Sequence, residues 1–192
     1  EAYGTARYVP MDEDHPHDSL TPYAASKSAA DHVIQSYVET FVINAITLRP
    51  FNTIGPRQNP GSYAGIVPIV VTKVQSGQPV EIHSDGYQTR DLTFVRDIAD
   101  FVVKVDDASP KSGSALNIAT GVETSINSLV ERILKVMGKD EHPILHSDER
   151  PGDVRRHCGD VGALQALVGE SPPPLTDDAL AETVEWYLKW RI

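Results

Sequence analysis

The sequence predicts an α/β protein with a smaller mixed lobe built onto its sheet. Two observations carry this expectation. Short apolar runs rich in β-branched residues alternate with longer segments of helical periodicity. In the second half the apolar runs become shorter and the chain between them more irregular, which suggests the mixed lobe.

Each element has its own signal. Thr21 can cap a helix and Pro22 suits its first position. Ala30, Val33, Ile34, Tyr37, Val38 and Phe41 then recur at helical spacing. Val42 to Leu48 reads as a buried strand. The segment Arg49 to Arg57 follows at its C-terminal end, where ligands bind in open α/β sheets. Ile66 to Ser76 is expected to be a helix closed by Gly77. Val80 to His83 and Leu92 to Val95 read as short strands, Asp97 to Asp106 as a helix, and Ala115 to Ile118 as another strand. Ile126, Leu129, Val130, Ile133, Leu134 and Met137 form the cleanest amphipathic pattern, stopped by Gly138. Val161 to Val168 reads as a short helix. Three prolines at 172–174 then break the chain, and Asp177 to Trp190 predicts the last helix.

The 192 residues suffice for one domain with a substantial core. Net charge is −10, from 27 acidic and 17 basic residues. That disfavours nucleic acid or an anionic membrane as the main partner, since both need clustered positive charge. No apolar run approaches membrane-spanning length. A lone cysteine, Cys158, cannot form an internal disulfide, so a reducing, cytoplasmic setting is expected. The seven histidines lack metal-ligand spacing, so no metal is expected. The chain opens on Glu1 rather than Met and reads as part of something longer.

Tyr23-Ala24-Ala25-Ser26-Lys27 is the most informative stretch. On a helix, Tyr23 and Lys27 are one turn apart on the same face. A phenol, with an ordinary pKa of roughly 10, is a poor base near neutral pH, and a neighbouring cation favours its phenolate. Such a pair is suited to removing a proton from an alcohol; a complete oxidation also needs a hydride acceptor. A nicotinamide dinucleotide normally requires a glycine-rich turn. None of the 13 glycines here supplies the closely spaced triple.

Taken in order, Tyr23 and Lys27, Arg49-Pro50-Phe51-Asn52, Gly55-Pro56-Arg57, Gln88-Thr89-Arg90-Asp91 and Arg150-Pro151-Gly152-Asp153 resemble an extended short-chain dehydrogenase/reductase. The resemblance is to the C-terminal portion of the nucleotide-sugar epimerase and dehydratase branch, without the glycine-rich N-terminal part. It implies the latter part of a doubly wound Rossmann-type parallel sheet with a mixed substrate lobe. Residues 1–60 would complete the NAD-binding domain and carry the catalytic helix. Residues 61–192 would form mainly the nucleotide-sugar lobe, with some segments returning to the sheet. The implied cofactor is NAD rather than NADP, and the implied substrate is a nucleoside-diphosphate sugar oxidised at C4. Tyr23 would take the hydroxyl proton, and Lys27 would assist it and touch the cofactor ribose. Asn52, Ile66, Val67, Arg90, Arg150 and Asp153 would face the substrate, the two arginines clamping its diphosphate. Glu1 would be the base that removes the C5 proton in a 4,6-dehydratase, so the expectation leans to dehydration over 4-epimerisation. A homodimer is also implied.

Blander readings compete with these. A helix-start tyrosine with a solvated lysine gives the same spacing, and Arg90 beside Asp91 could be a surface ion pair. Asn52 and Asp153 could serve turns, and Glu1 could be a solvated terminus. The alternative functions are a nucleotide-sugar-binding piece without turnover, which is what these residues alone are expected to be, or a UDP-sugar-acid decarboxylase.

Overall fold

The computed structural model describes residues 2–59, 65–150 and 152–189. Helix α1 spans Pro22–Phe41. The Thr21 hydroxyl accepts from the Ala24 N–H at 3.1 Å, which satisfies one of the amide groups left open at a helix start. The helix ends at Val42, whose φ of 54° is left-handed. Strand β1 therefore begins later than expected, at Thr47, and covers Thr47–Pro50. The β-branched Val42 and Ile43, which suggested a strand, are exposed connection instead.

β1 and β2 (Asn52–Ile54) are one extended run that changes partner at Phe51. β1 pairs in parallel with β5 (Ala115–Ile118), Leu48 lying opposite Leu116. β2 pairs in parallel with β4 (Thr89–Phe94), placing Asn52 opposite Leu92. β4 also pairs antiparallel with β6 (Glu123–Ser125). A separate parallel pair joins β3 (Val80–His83) to β7 (Ile144–Ser147). The change of partner after β1 sets Asn52 at the C-terminal end of one sheet and beside Arg90 of the next.

The remaining helices are α2 (Ile66–Gln75), α3 (Val95–Ala108), α4 (Ile126–Val136), α5 (Gly162–Val168) and α6 (Asp177–Lys189). α4 follows the expected pattern closely, with Leu129, Val130, Ile133 and Leu134 buried and a Ser125 cap. With α2 and α6 it builds the larger core against β3 and β4. A second core sits under α3 and α5 around Phe101, Val105, Leu116, Ile118 and Leu164. A third joins Tyr3 and Met11 to Phe51 and Ala119, tying the N-terminal segment to the junction of β1 and β2. Among the described residues, no helix is long and apolar enough to cross a membrane.

Candidate active site

One cleft gathers residues from five parts of the chain. Gly4 and Thr5 come from the N-terminal segment, and Thr21 and Ala24 from the start of α1. Asn52 and Arg90 come from β2 and β4, and Gly152, Asp153 and His157 from the segment before α5. Gly152 has a φ of +78°, a conformation that side chains disfavour, and it turns the chain toward Thr21.

The structure thus brings Asn52, Arg90 and Asp153 together. Arg90 Nη2 donates to Asp153 Oδ1 at 2.5 Å, and its Nη1 donates to the carbonyls of Val154 (2.6 Å) and Thr89 (2.8 Å). Its ion-pair partner is therefore Asp153 and not the adjacent Asp91. Successive side chains of a strand point to opposite faces. Arg90 accordingly faces the cleft, whereas Asp91 is wholly buried. The Asp91 carboxylate accepts from Thr120 N–H (2.9 Å), Thr120 Oγ1 (2.7 Å), Gly121 N–H (3.0 Å) and Gly159 N–H (3.2 Å). Burial raises its pKa, against the pull of those donors.

The segment that carries Asp153 and His157 lies along β4. Thr89 N–H donates to the Arg155 carbonyl and Asp91 N–H to the His157 carbonyl. Arg155 and Arg156, a small basic spot in the sequence, are both spent on forked ion pairs, with Asp85 and Glu123. These pairs tie the segment that follows Asp153 to the turn before β4 and to β6, and each partly offsets the arginine's charge.

Tyr23 and Lys27 lie one turn apart on α1, both exposed, with Lys27 Nζ 5.4 Å from the centre of the Tyr23 ring. The helix that carries them is held from below by Arg49. Its Nε donates to Asp31 of α1 at 2.7 Å, and its Nη1 to the Tyr3 hydroxyl (2.8 Å) and the Glu13 carbonyl (2.9 Å). Burial pushes the Tyr3 phenol up to about 12, so it stays protonated and donates to Asn117 Oδ1 at 2.5 Å. The reactive-looking pair is thus anchored to the floor of β1 and β5 by a partly buried polar network.

Other expected site residues lie elsewhere. Arg150 is exposed and does not line the cleft, although its carbonyl accepts from the Asp153 N–H. Ile66 packs against the core and Val67 is fully buried in it; neither lines the cleft. Glu1 lies outside the described residues. Among the described residues, no three His, Cys, Asp or Glu side chains are grouped to hold a metal ion.

The residue that sequence reasoning missed is His157. Its ring packs against Phe51 at a tilt of 39°, with centroids 4.7 Å apart. Its Nδ1 is 3.2 Å from Asn52 Nδ2, and its Nε2 is buried without a partner among the described residues. No local pattern marked it out; the fold brings it to the cleft that Asp153 also lines. Burial, assisted by Arg90, lowers its pKa to about 3. An unfolded histidine titrates near roughly 6.5, so between about 6.5 and 3 the unfolded chain binds the extra proton. The stability that His157 contributes is therefore complete above that window and lost as pH falls through it. His17, lowered by burial and then Arg49, acts with the same sign. Asp91, raised by burial, acts in the opposite sense at lower pH. Urea titrations should show stability falling by about 1 kcal/mol from pH 6 to pH 5, and His157→Asn should flatten that slope.

The sequence profile of the NAD dependent epimerase/dehydratase family matches residues 1–119. A UDP-glucose 4-epimerase of Mycolicibacterium smegmatis is 34% identical over 96% of this chain and 58% of its own length. A dTDP-glucose 4,6-dehydratase of Xanthomonas campestris pv. campestris is 29% identical over 98% of this chain and 55% of its own. Among solved structures, a UDP-N-acetylglucosamine 4-epimerase from Methanobrevibacter ruminantium superimposes with a TM-score of 0.89 at 30% identity. That match covers 98% of this chain and 60% of the other. A dTDP-glucose 4,6-dehydratase from Streptomyces venezuelae, solved with NAD bound, also gives 0.89, at 28% identity over 100% of this chain and 58% of the other. The chain therefore has the α/β fold of these enzymes and spans somewhat over half the length of the relatives it matches. On the match to residues 1–119, the chain belongs to the NAD dependent epimerase/dehydratase family.

Proposed function

We propose that the protein carrying this chain holds a nucleoside-diphosphate sugar in the cleft and oxidises its C4 hydroxyl with NAD. Either 4,6-dehydration or return of the hydride to the opposite face, a 4-epimerisation, follows. The observation that supports this most is the convergence of Arg90, Asp153 and Asn52 beside the first turn of the helix carrying Tyr23 and Lys27. Tyr23 takes the C4 proton, and the Lys27 ammonium stabilises the phenolate that does so. Among the described residues, Arg90 Nε and the second Nη2 hydrogen make no bond, so they can meet phosphate oxygens while Asp153 stays paired. Asp153 accepts from the ribose hydroxyls. Arg150, exposed and three residues before Asp153, would contribute the second guanidinium to the diphosphate. Ile66 and Val67 would act only through their backbone at the start of α2.

NAD supplies a hydride acceptor when bound. Tyr23 and Lys27, polar and exposed on one face of α1, fit its nicotinamide-ribose end. No glycine triple for its pyrophosphate is present among the 192 residues, so we propose that these residues alone bind the sugar nucleotide without turnover. Glu1, as the C5 base, favours dehydration. We further propose a cytoplasmic homodimer. The single, buried cysteine fits a reducing compartment. Val33, Tyr37 and Phe41 form an exposed apolar stripe at helical spacing on α1 that a second copy could cover.

The test is product analysis after the full-length protein is incubated with NAD and either UDP-glucose or dTDP-glucose. A 4-keto-6-deoxy product identifies dehydration and an inverted C4 epimerisation; turnover of neither sugar overturns the proposal. Arg90→Lys, which keeps the charge and loses the fork, should weaken UDP or dTDP binding about tenfold by calorimetry.

A further inference from the structure

We infer that His17 is a positioning residue for the proposed oxidation. Through Ser28 it fixes the rotation of α1, and with it the place where Tyr23 and Lys27 meet the substrate. The inference rests on the proposed function.

α1 is held to the body by a narrow seam. Of its 20 residues, Ala24 and Ser28 are buried, and Asp31 continues the line toward Arg49. Ala24 supplies contact but no polar handle. The serines of α1 differ in what their hydroxyls do. Those of Ser26 and Ser36 donate to carbonyls of their own helix, Tyr23 and Val33. The Ser28 hydroxyl instead leaves the helix and meets His17 Nδ1 at 2.7 Å. A hydroxyl both donates and accepts, so this bond forms with either tautomer of the ring.

His17 is itself firmly placed. Its neighbour Asp18 donates its N–H to the Tyr3 carbonyl (2.7 Å) and accepts from the Thr5 N–H (3.1 Å). The Tyr3 ring is buried and stands edge-on to the imidazole, with centroids 5.7 Å apart. Tyr3 in turn is bonded to Asn117 of β5 and Arg49 of β1. The Asp31 carboxylate is 4.0 Å from His17 Nε2 but 2.7 Å from Arg49 Nε, so it belongs to the arginine. With its pKa lowered, the His17 ring is neutral near neutral pH and acts through its bond to Ser28 rather than through charge. α1 is thus anchored by Asp31 on Arg49 and by Ser28 on His17. Ser28 is the anchor nearer the tyrosine–lysine pair, directly after Lys27.

Rotation matters because the pair lies off the helix axis. A side-chain tip about 6 Å from the axis moves about 1 Å for a turn of about 10°. A misplacement of that size can cost up to about 10²-fold in rate.

Three variants test this. His17→Leu deletes the bond and keeps most of the bulk. Ser28→Ala deletes it from the helix side without loss of helix propensity. His17→Asn keeps a polar atom where Nδ1 stood. On the full-length protein, turnover of UDP-glucose and dTDP-glucose would be compared with calorimetric binding of UDP and dTDP. In His17→Leu and in Ser28→Ala kcat should fall about tenfold, and no further in the two combined. UDP and dTDP should bind within about twofold of the parent protein, because Arg90 and Asp153 are untouched. His17→Asn should recover kcat to within about threefold. Unaltered kcat in His17→Leu and Ser28→Ala, losses that multiply in the double variant, an equal loss of nucleotide affinity, or no recovery in His17→Asn overturns the inference. A parent protein that turns over neither sugar removes the proposed reaction, and the NMR signal of the Tyr23 ring in protein carrying isotope-labelled tyrosine then decides. That signal should shift in His17→Leu and Ser28→Ala and return in His17→Asn. A signal unmoved in all three overturns the inference as well.

Discussion

Tyr23→Phe will lower turnover of the nucleotide sugar by about 10²–10⁴-fold, the range that a positioned acid–base group contributes. This corresponds to about 3–5 kcal/mol on the barrier. The substitution isolates the hydroxyl. Phenylalanine keeps the ring on the first turn of α1, and both the Thr21 cap and the Ser26 hydroxyl bond to the residue-23 carbonyl survive. The residue is 42% exposed, so the effect of the change on stability should be small, about 1 kcal/mol or less. Affinity for UDP should not change, because Arg90 and Asp153 are untouched. The loss should therefore fall on kcat and leave binding alone. Undiminished turnover with a normal melting temperature would remove Tyr23 from the reaction.

Helix α1 was legible from sequence because its signals are local: a Thr-Pro start and an apolar period. Its end was less so. Val42 and Ile43 have strand-like side chains, but the tertiary structure uses Val42 as a left-handed cap and delays the strand to Thr47. β2 and β6 went unseen because runs of three residues carry too little pattern to register, and β7 because its two apolar residues are followed by two polar ones, without the alternation of Val80–His83. Within the site, Arg90 and Asp153 stood out by residue type and motif. Their mutual ion pair did not, since it joins positions far apart in the chain. The opposite fates of Arg90 and Asp91 follow from the pleat of β4, a rule usable only once the strand is known to begin at Thr89. His157 was one of seven scattered histidines until the fold laid it along β4 beside Asn52.

Asp91→Ala will cost the protein about 3–5 kcal/mol and lower its melting temperature by about 10 °C. No other described carboxylate is as deeply buried while holding as many backbone groups. Its two oxygens take the N–H groups of Thr120, Gly121 and Gly159, and the hydroxyl of Thr120. Those residues belong to the turn after β5 and to the segment leading from the cleft into α5. A single side chain on β4 thus ties both to the sheet. Alanine would leave several buried donors without an acceptor, each costing about 1–3 kcal/mol, with partial relief from the hydroxyl of Thr120, which can rotate. Asp91→Asn should cost less, about 1–3 kcal/mol, because one amide oxygen can still accept while the NH2 meets donors. The consequence for function is indirect and measurable. Asp91 N–H also holds the His157 carbonyl, so loosening this point should free the segment that carries Asp153 and His157. Thermal melts of both variants with and without UDP would show it. If Asp91 organises the cleft wall, the shift in melting temperature on adding UDP will shrink in Asp91→Ala and persist in Asp91→Asn. If Asp91 serves stability alone, the two variants will melt earlier but gain as much from UDP as the parent protein does.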